Sequence, residues 1–259
     1  MARHAAVRPD HAAGALTEAG EAFYRRCVGI LDEVAAARDD AGRRRTVPRG
    51  HMRVSAPVTF GTMHLAPVVT DYLREYPDVT VEVELSDRAV DLIAEGFDVA
   101  VRIGELPDSS LVARRLSSSR FALCAAPAYL ARHGAPATPG ELTGHACLEY
   151  SYRPPHGRWR FAGSGGDIVV PIRPRLRANN GEFLRAAALR GEGIALAPTF
   201  IVGDDLRSGR LVGLLPDYRP AATPIQAVYP AGRYLPAKVR SFIDFLHERF
   251  AGTPPWDAE

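Results

Sequence analysis

The fold class follows from one stretch of sequence, Arg53-Val54-Ser55-Ala56-Pro57-Val58-Thr59-Phe60-Gly61. In it a short apolar strand is followed directly by the start of a helix. Two later segments, residues 79–87 and residues 95–104, repeat this pattern of an apolar strand that ends in polar residues. A hydroxyl side chain at a helix start lies beside backbone N–H groups, and together they suit a small anion. The stretch therefore predicts an α/β fold with an anion-binding edge.

The chain from residue 51 onward keeps this α/β order. Valine and leucine alternate with threonine and glutamate over residues 79–85, which is the period of a half-buried strand. With strands at 52–56 and 98–103 and helices at 61–76 and 88–95, this predicts a βαβαβ unit with a mostly parallel sheet. The further predicted elements are strands at 121–125, 147–150, 194–197, 211–214 and 225–229, a Gly-rich hairpin at 159–170, and helices at 128–133, 181–190 and 237–250.

Composition excludes several classes of protein. The chain has 259 residues, 46% hydrophobic and 24% charged, with a net charge of +2, which is typical of a globular protein without a global basic field. The three cysteines and eight histidines show no metal-ligand or redox spacing, so no metal and no cofactor is expected. No nucleophile, phosphate-loop or dinucleotide motif is present, so we expect no enzyme. No apolar run could serve as a signal peptide or membrane span, which predicts a cytoplasmic protein without membrane contact.

A long helix is predicted ahead of the α/β region, over residues 16–41, with Thr17 as its N-cap. Its apolar positions include Phe23, Cys27, Ile30 and Val34, which follow one another at steps of four and three. Such a seam favours pairing with a second copy of the chain. The alternative is a helix that packs on its own domain. Residues 1–15 are predicted to form a loose arm, and residues 16–50 a dimerisation helix with its hinge.

Several segments of this sequence, in their order along the chain, resemble those of the LysR-type transcriptional regulators. The segment 16–20 with Phe23 resembles the start of that family's linker helix. The segments 53–61, 91–104 with 108–113, 179–182, 191–198 and 235–246 resemble its effector-binding domain. The resemblance covers roughly residues 16–250. It implies a two-lobed, periplasmic-binding-protein-like effector domain over 51–259, with lobe I at about 52–119 plus 225–250 and lobe II at about 120–224.

The sequence departs from the family at its N-terminus. Members carry a winged helix-turn-helix of roughly sixty residues, whereas fifteen residues precede Leu16 here, too few for a three-helix DNA-binding unit. We therefore expect a chain that lacks its own DNA-reading head. A misassigned gene start, a shortened product and a genuine loss fit the sequence equally well.

The resemblance places the effector between the lobes and points to Thr59 and Phe60 after the first strand. In the family the residue at the position of Thr59 contacts the ligand through its hydroxyl. The alternative is that Thr59 only caps the following helix. Ser86, with Asp87 beside it, could face the same cleft or cap a helix that begins at Arg88.

Four further positions are candidates for the same cleft. Arg102 ends the third strand, where its guanidinium could pair with an anion or, equally well, with a nearby acid. Asn180 precedes a helix, and Thr199 and Phe200 follow a strand; the resemblance places all three at the cleft. A plain N-cap is the alternative for Asn180. The combined chemistry predicts a carboxylate effector.

The sequence thus predicts a LysR-type regulator that senses a small anionic metabolite and self-associates as a dimer or tetramer. It would reach promoter DNA only through a missing or partner-supplied winged helix-turn-helix. The alternative is a stand-alone solute-binding protein of the same fold. The basic and aromatic residues at 158–161 could bind nucleic acid. A hairpin with an exposed arginine face and a buried aromatic face is the simpler interpretation.

Overall fold

Two five-stranded sheets organise the computed structural model of the chain. The structure describes residues 17, 19–20, 23–24, 27, 34, 47–106, 111–153, 155–163, 166–218, 220–231, 235–252 and 254–257. The strands are β1 Gly50–Ala56, β2 Val79–Leu85, β3 Val99–Ile103, β4 Leu111–Ser119, β5 Phe121–Ala125, β6 Ala146–Tyr150, β7 Arg158–Gly163, β8 Gly166–Pro171, β9 Arg173–Ala178, β10 Ile194–Pro198, β11 Val212–Leu214 and β12 Thr223–Pro230.

The helices lie between these strands. The first, α1, is a continuous helical run of three segments, Val58–Phe60, the π-helical Gly61–Leu65 and Ala66–Glu75. The others are α2 Leu92–Glu95, α3 Pro127–His133, α4 Gly181–Leu189, α5 Thr199–Arg207 and α6 Ala237–Phe250, with 3-10 turns at Pro139–Gly144 and Pro255–Asp257.

The sheet of lobe I has the order β2-β1-β3-β12-β4. β1 pairs in parallel with β2 and with β3, as the βαβαβ pattern predicts. β12 then pairs antiparallel with both β3 and β4. The sheet is therefore mixed, and its β4 strand was not among the predicted elements.

Helix α1 begins three residues before the predicted start. Pro57 is its N-cap and has extended backbone angles, φ −61° and ψ 143°. Leu65, Val69 and Tyr72 on its inner side are buried against the sheet, as the helical spacing predicts. The helix ends before Pro77, because proline disfavours helical geometry at the residue that precedes it.

The sheet of lobe II has the order β11-β5-β10-β6-β9. The predicted hairpin is confirmed beside it: β7 pairs antiparallel with β8, and Gly163 lies opposite Gly166. Trp159 and Phe161 are buried whereas Arg160 is exposed, so the predicted buried aromatic face is also confirmed. Rings packed in the core cannot stack on bases, which removes the nucleic-acid interpretation of this segment.

The predicted helix at 88–95 is shorter than expected. Asp91 is the N-cap, and its carboxylate accepts hydrogen bonds from Ile93 N at 3.1 Å and Ala94 N at 3.0 Å. The prediction that Ser86 or Asp87 caps a helix at Arg88 is therefore wrong. Ser86 Oγ instead accepts a hydrogen bond from Arg88 N at 3.4 Å, within a turn.

The described residues of the predicted long helix are helical at 19–20, 23–24, 27 and 34. Gly20 N donates to Thr17 Oγ1 at 3.1 Å, which confirms the predicted N-cap. Phe23 is 66% exposed and Val34 is 50% exposed. Ile30 and residues 1–15 lie outside the described residues. Within the described part of the chain, no helix combines the length and apolarity that a bilayer span requires.

The largest hydrophobic cluster continues from one lobe into the other. Phe60 and Tyr72 of α1 pack in it with Phe242 of α6, and Phe200 of α5 joins them from lobe II. The two lobes therefore share apolar core on one side of their boundary. A polar cleft lies between them elsewhere.

Candidate functional site

A cavity of about 300 Å³ opens between the two lobes. It lies at the carboxyl ends of β2 and β9, the edge at which ligands of α/β proteins commonly bind. Two of the predicted site residues, Ser86 and Asn180, line it. The lining residues are Val58, Leu85, Ser86, Asp87 and Arg88 from lobe I, and Tyr152, Asn179 and Asn180 from lobe II.

The N-termini of two helices from opposite lobes meet at this cavity. Val58 begins α1, and Asn180 is the N-cap of α4. Asn180 Oδ1 accepts a hydrogen bond from Phe183 N at 2.9 Å, so the N-cap alternative for Asn180 is confirmed. Helix starts carry backbone N–H groups without helical partners and a positive partial charge. The cleft is therefore electrostatically suited to an anion.

Thr59 lies at the inner end of this meeting point. It is 6% exposed, and its Oγ1 atom has no hydrogen-bond partner among the described residues. Since Pro57 is the N-cap of α1, the prediction that Thr59 caps the helix is wrong. A Cβ atom on Gly181 would lie 3.9 Å from Thr59 Oγ1 and would collide with the Ile201 side chain. Glycine at 181 therefore permits the close packing of α4 against α5 within lobe II.

Arg102 does not line the cavity. Its guanidinium donates to Ser55 Oγ at 2.9 Å and to the Val101 carbonyl at 2.9 Å. Burial lowers the pKa of Arg102, and the negative charge of Asp87 is the strongest influence against that shift. No ion pair of Arg102 is found with the described carboxylates, so the alternative of a direct pair with a nearby acid is wrong for them. Arg102 supplies a half-buried positive charge behind the cleft.

Phe60 and Phe200 belong to a cluster of aromatic rings at the boundary between the lobes. The two rings meet edge to face, 5.5 Å apart. His64 Nε2 and the Phe200 carbonyl oxygen lie 3.1 Å apart, so a hydrogen bond joins α1 and α5 in addition to the ring contact. Burial lowers the pKa of His64, whereas this hydrogen bond and the charge of Asp204 oppose the shift. The cluster consists of Phe60, His64, Phe200, Phe250 and Trp256. Phe60 and Phe200 thus support the cleft from behind and do not line it.

Thr199 begins α5, a helix absent from the predicted elements. Its N–H donates to the Arg120 carbonyl at 2.9 Å, and its hydroxyl donates to the same oxygen at 3.3 Å. Arg120 lies between β4 and β5, where the chain passes from lobe I to lobe II. Thr199 therefore ties α5 to this crossing.

Sequence reasoning named Asp87 only as the neighbour of Ser86 at the cleft, and it did not place Arg88 or Tyr152 there. Asp87 Oδ1 accepts a hydrogen bond from Val58 N at 2.9 Å. Arg88 forms a bidentate pair with Glu95, with Nη1–Oε1 at 3.0 Å. The parallel pairing of β1 with β2, which sets Ala56 beside Leu85, brings Asp87 to the start of α1. That pairing was the available signal for Asp87, whereas Tyr152 carried none.

The described residues contain no group of three His, Cys, Asp or Glu side chains placed to hold a metal ion. The polar groups that line the cleft are two amides, two hydroxyls, the Arg88 guanidinium, the Asp87 carboxylate and backbone N–H groups. These groups can bind and orient a small molecule. They do not combine a nucleophile with a base.

Comparison with known sequences identifies the family. A family model described as the LysR substrate binding domain matches residues 45–251. The HTH-type transcriptional regulator CrgA of Neisseria meningitidis (strain 8013) is 37% identical over 234 residues, which cover 90% of this chain and 78% of CrgA. The HTH-type transcriptional regulator DmlR of Escherichia coli (strain K12) is 35% identical over 237 residues, 91% of this chain and 77% of DmlR.

Solved structures agree with the sequence comparison. CrgA from Neisseria meningitidis, a LysR-type transcriptional regulator, superposes with a TM-score of 0.72 at 33% identity, over 95% of this chain and 84% of CrgA. The full-length virulence activator AphB of Vibrio cholerae superposes with a TM-score of 0.71 at 31% identity, over 95% of this chain and 84% of AphB. The predicted two-lobed fold is thereby confirmed.

These relatives are transcriptional regulators, which confirms the prediction that the chain is no enzyme and leaves the stand-alone solute-binding alternative without support. The matched segment includes both lobes and the cleft between them. The chain belongs to the family of LysR-type transcriptional regulators.

Proposed function

We propose that this chain senses a small anionic metabolite, a carboxylate, in the cleft between its lobes and passes the signal on through self-association. The observation that carries the proposal is the convergence of the α1 and α4 N-termini, one from each lobe, on one cavity. Two positive helix ends that face the same space favour a negative charge there. A ligand in this position touches both lobes at once.

Each predicted residue has a distinct part in this proposal. The Asn180 amide and the Ser86 hydroxyl form the walls of the cavity. The buried Thr59 hydroxyl lacks a partner, and a ligand oxygen would satisfy it. Arg102 contributes positive charge from behind Ser55. Phe60, Phe200 and Thr199 hold the starts of α1 and α5 in place around the site.

The response is a shift between two populations of lobe arrangements. A ligand that bonds to both lobes binds the closed arrangement more tightly than the open one, and it shifts the equilibrium by that difference in affinity. The lobe arrangement in turn sets the relative placement of subunits in an oligomer. The same ligand thereby changes the spacing of whatever the subunits hold on DNA.

Replacing Thr59 with alanine is expected to weaken effector binding by about 10-fold or more, since a hydrogen bond to a charged group contributes about 1.5–3 kcal/mol. Asn180→Ala is expected to do the same from the other lobe. A thermal-shift screen of metabolite carboxylates against the unmodified protein identifies the ligand. Titration of both variants with that ligand then measures the dissociation constants.

The matched control for that measurement is Thr70→Ala. Thr70 lies on the same helix, is exposed, and donates to the Ala66 carbonyl at 2.9 Å, away from the cleft. The control should bind like the unmodified protein. Equal affinity in the Thr59, Asn180 and Thr70 variants would remove the cleft residues from the site. Binding of uncharged compounds alone would contradict an anionic effector.

We also propose that subunits pair through the helix that carries Phe23, Cys27, Ile30 and Val34. Phe23 and Val34 are largely exposed apolar side chains at heptad spacing. The double substitution Phe23→Glu with Val34→Glu is expected to reduce the mass of the assembled protein, as measured by light scattering at micromolar concentration. Val47→Glu, at a position 69% exposed outside the seam, should leave the mass unchanged. This pairing would be refuted if the unmodified protein were a monomer. It would also be refuted if the unmodified protein, the glutamate variant and the Val47→Glu control had equal masses.

Promoter DNA, in this proposal, is contacted by winged helix-turn-helix units and not by the two lobes. The segment 158–161 offers no base-stacking surface, because Trp159 and Phe161 lie in the core of lobe II. Electrophoretic binding of a promoter fragment by the two lobes alone would contradict this division of roles.

A further inference from the structure

The carboxylate of Asp87 already occupies the anion-binding position at the start of α1. Its Oδ1 accepts a hydrogen bond from Val58 N at 2.9 Å, and Asp87 and Val58 both line the cleft. A carboxylate at a helix N-terminus is stabilised by the N–H group and by the helix dipole. The chain thereby places one of its own charges where the proposed effector would bind.

The same carboxylate lies at the boundary between the lobes. It lines the cleft together with Tyr152, Asn179 and Asn180 of lobe II. Burial raises the pKa of the Tyr150 phenol, at the end of β6 in lobe II, and the negative charge of Asp87 raises it further. Asp87 is thus held by a backbone N–H group of lobe I and faces lobe II across the cleft.

The surroundings of Asp87 suit one negative charge and no more. Asp87 is the carboxylate that interacts most favourably with the Arg102 guanidinium, and Arg102 forms no direct ion pair with a described carboxylate. Arg88 is held by Glu95 and does not compensate a further anion. Two carboxylates within a few ångströms repel each other, and one of them must leave or take up a proton.

A second, independent observation points to a ligand at this place. Thr59 is 6% exposed, and its Oγ1 has no partner among the described residues, one residue away from the N–H that Asp87 occupies. A buried hydroxyl without a partner costs stability, which a bound acceptor would restore. The position therefore has an unsatisfied group even while Asp87 fills part of it.

We propose that Asp87 is an internal competitor, a built-in carboxylate that a monocarboxylate effector must displace from Val58 N–H to bind. This inference rests on the proposed function and names its ligand class. The competition raises the apparent dissociation constant, because only the fraction of chains in which Asp87 has left the position can bind the effector. A dicarboxylate is disfavoured, because its second charge would meet the displaced Asp87 inside the cavity.

The test is chemical rescue of Asp87→Ala by acetate. The substitution removes the carboxylate and leaves its partners in place, and we expect it to lower the thermal unfolding midpoint by about 2–4 °C, the effect of a lost helix cap in a chain of this size. Acetate should then restore at least half of that loss. Acetamide, which lacks the charge, and sodium chloride at the same ionic strength should restore none of it.

Asp91→Ala is the matched control. Asp91 caps α2 through two N–H groups, but no residue of lobe II completes its site. Acetate should not rescue this variant. If acetate raises the midpoints of the Asp87 and Asp91 variants equally, or raises neither, the inference is overturned.

Asp87→Asn keeps an acceptor oxygen and provides the comparison if the alanine variant does not fold. Acetate should stabilise Asp87→Asn more than the unmodified protein, and equal stabilisation overturns the inference. The outcome is separable from the effector screen. A metabolite that binds in an Asn180-dependent manner, with no acetate rescue, leaves the proposed function standing and removes the competitor. Rescue of Asp87→Ala by acetate, with no metabolite bound in the screen, would remove the proposed function and leave the acetate-binding position of Asp87 standing.

Discussion

Replacing Phe60 with alanine is expected to lower the free energy of unfolding by about 3–5 kcal/mol, the range for deleting a large aromatic side chain from a packed interior. The Phe60 ring is 0% exposed. Its centroid lies 5.5 Å from those of Phe200 and Trp256 and 5.6 Å from that of Phe250. Alanine leaves a cavity that these rings, held from three different elements, cannot readily fill. Urea unfolding followed by tryptophan fluorescence measures the loss.

Phe183→Ala is the control for this measurement, since Phe183 is 59% exposed on α4 and its removal should change the free energy by no more than about 0.5 kcal/mol. Because Phe200 belongs to lobe II, the Phe60 variant should also separate the lobes. Proteolysis near residue 120 should then become faster before global unfolding. Similar losses of stability in the two variants would show that the ring cluster does not carry the boundary.

The sequence predicted the elements whose pattern is local. The period of two over β2, the helical spacing of Leu65, Val69 and Tyr72, and the Gly-rich turn of the hairpin each state their geometry within a few residues. β9 escaped prediction, because Arg173–Ala178 contains proline and three arginines, a composition that fits only an edge strand. α5 escaped because it begins at Thr199, directly after β10, with no connecting loop to mark it.

The site was harder to predict than the fold, because its contacts join distant parts of the chain. The position of Asn180 directly before a predicted helix indicates an N-cap, and its side chain caps α4 in the structure. Asp87 has no local pattern that points to Val58, and their contact depends on the parallel pairing of β1 with β2. A burial pattern also does not show that Thr59 lacks a hydrogen-bond partner. The Asp87 carboxylate, and not the Thr59 hydroxyl, therefore accepts a hydrogen bond at the start of α1.

The polar and apolar sides of the lobe boundary have complementary consequences. The cleft holds exchangeable bonds, such as that between Asp87 and Val58 N–H, whose loss changes the arrangement at small energetic cost. The ring cluster on the other side resists separation, because it buries large apolar surfaces. Effector binding should therefore rotate the lobes about the aromatic side and open or close only the polar side.

Residues 254–257 form a C-terminal segment that lies across both lobes. The Trp256 ring centroid is 4.5 Å from that of His64 in lobe I and 6.2 Å from that of Phe200 in lobe II. The Asp257 carboxylate, 4% exposed, pairs with Arg120 Nε at 2.9 Å at the crossing between the lobes. The segment lies beyond the residues that the family model matches. Its contacts therefore hold lobe I and lobe II together at the aromatic side of their boundary.

Trp256→Ala is expected to lower the free energy of unfolding by about 3–5 kcal/mol, since the side chain is 5% exposed and packs among four other rings. Trp256→Phe is expected to cost about 1 kcal/mol, because phenylalanine keeps most of the ring contacts and removes an indole N–H that has no partner among the described residues. Calorimetric unfolding distinguishes the two. A loss below about 1 kcal/mol in the alanine variant would mean that the segment does not fasten the lobes. If the segment does hold the lobes together, the Trp256→Ala variant should also bind the effector with altered affinity. The ligand itself must then bring the two lobes together.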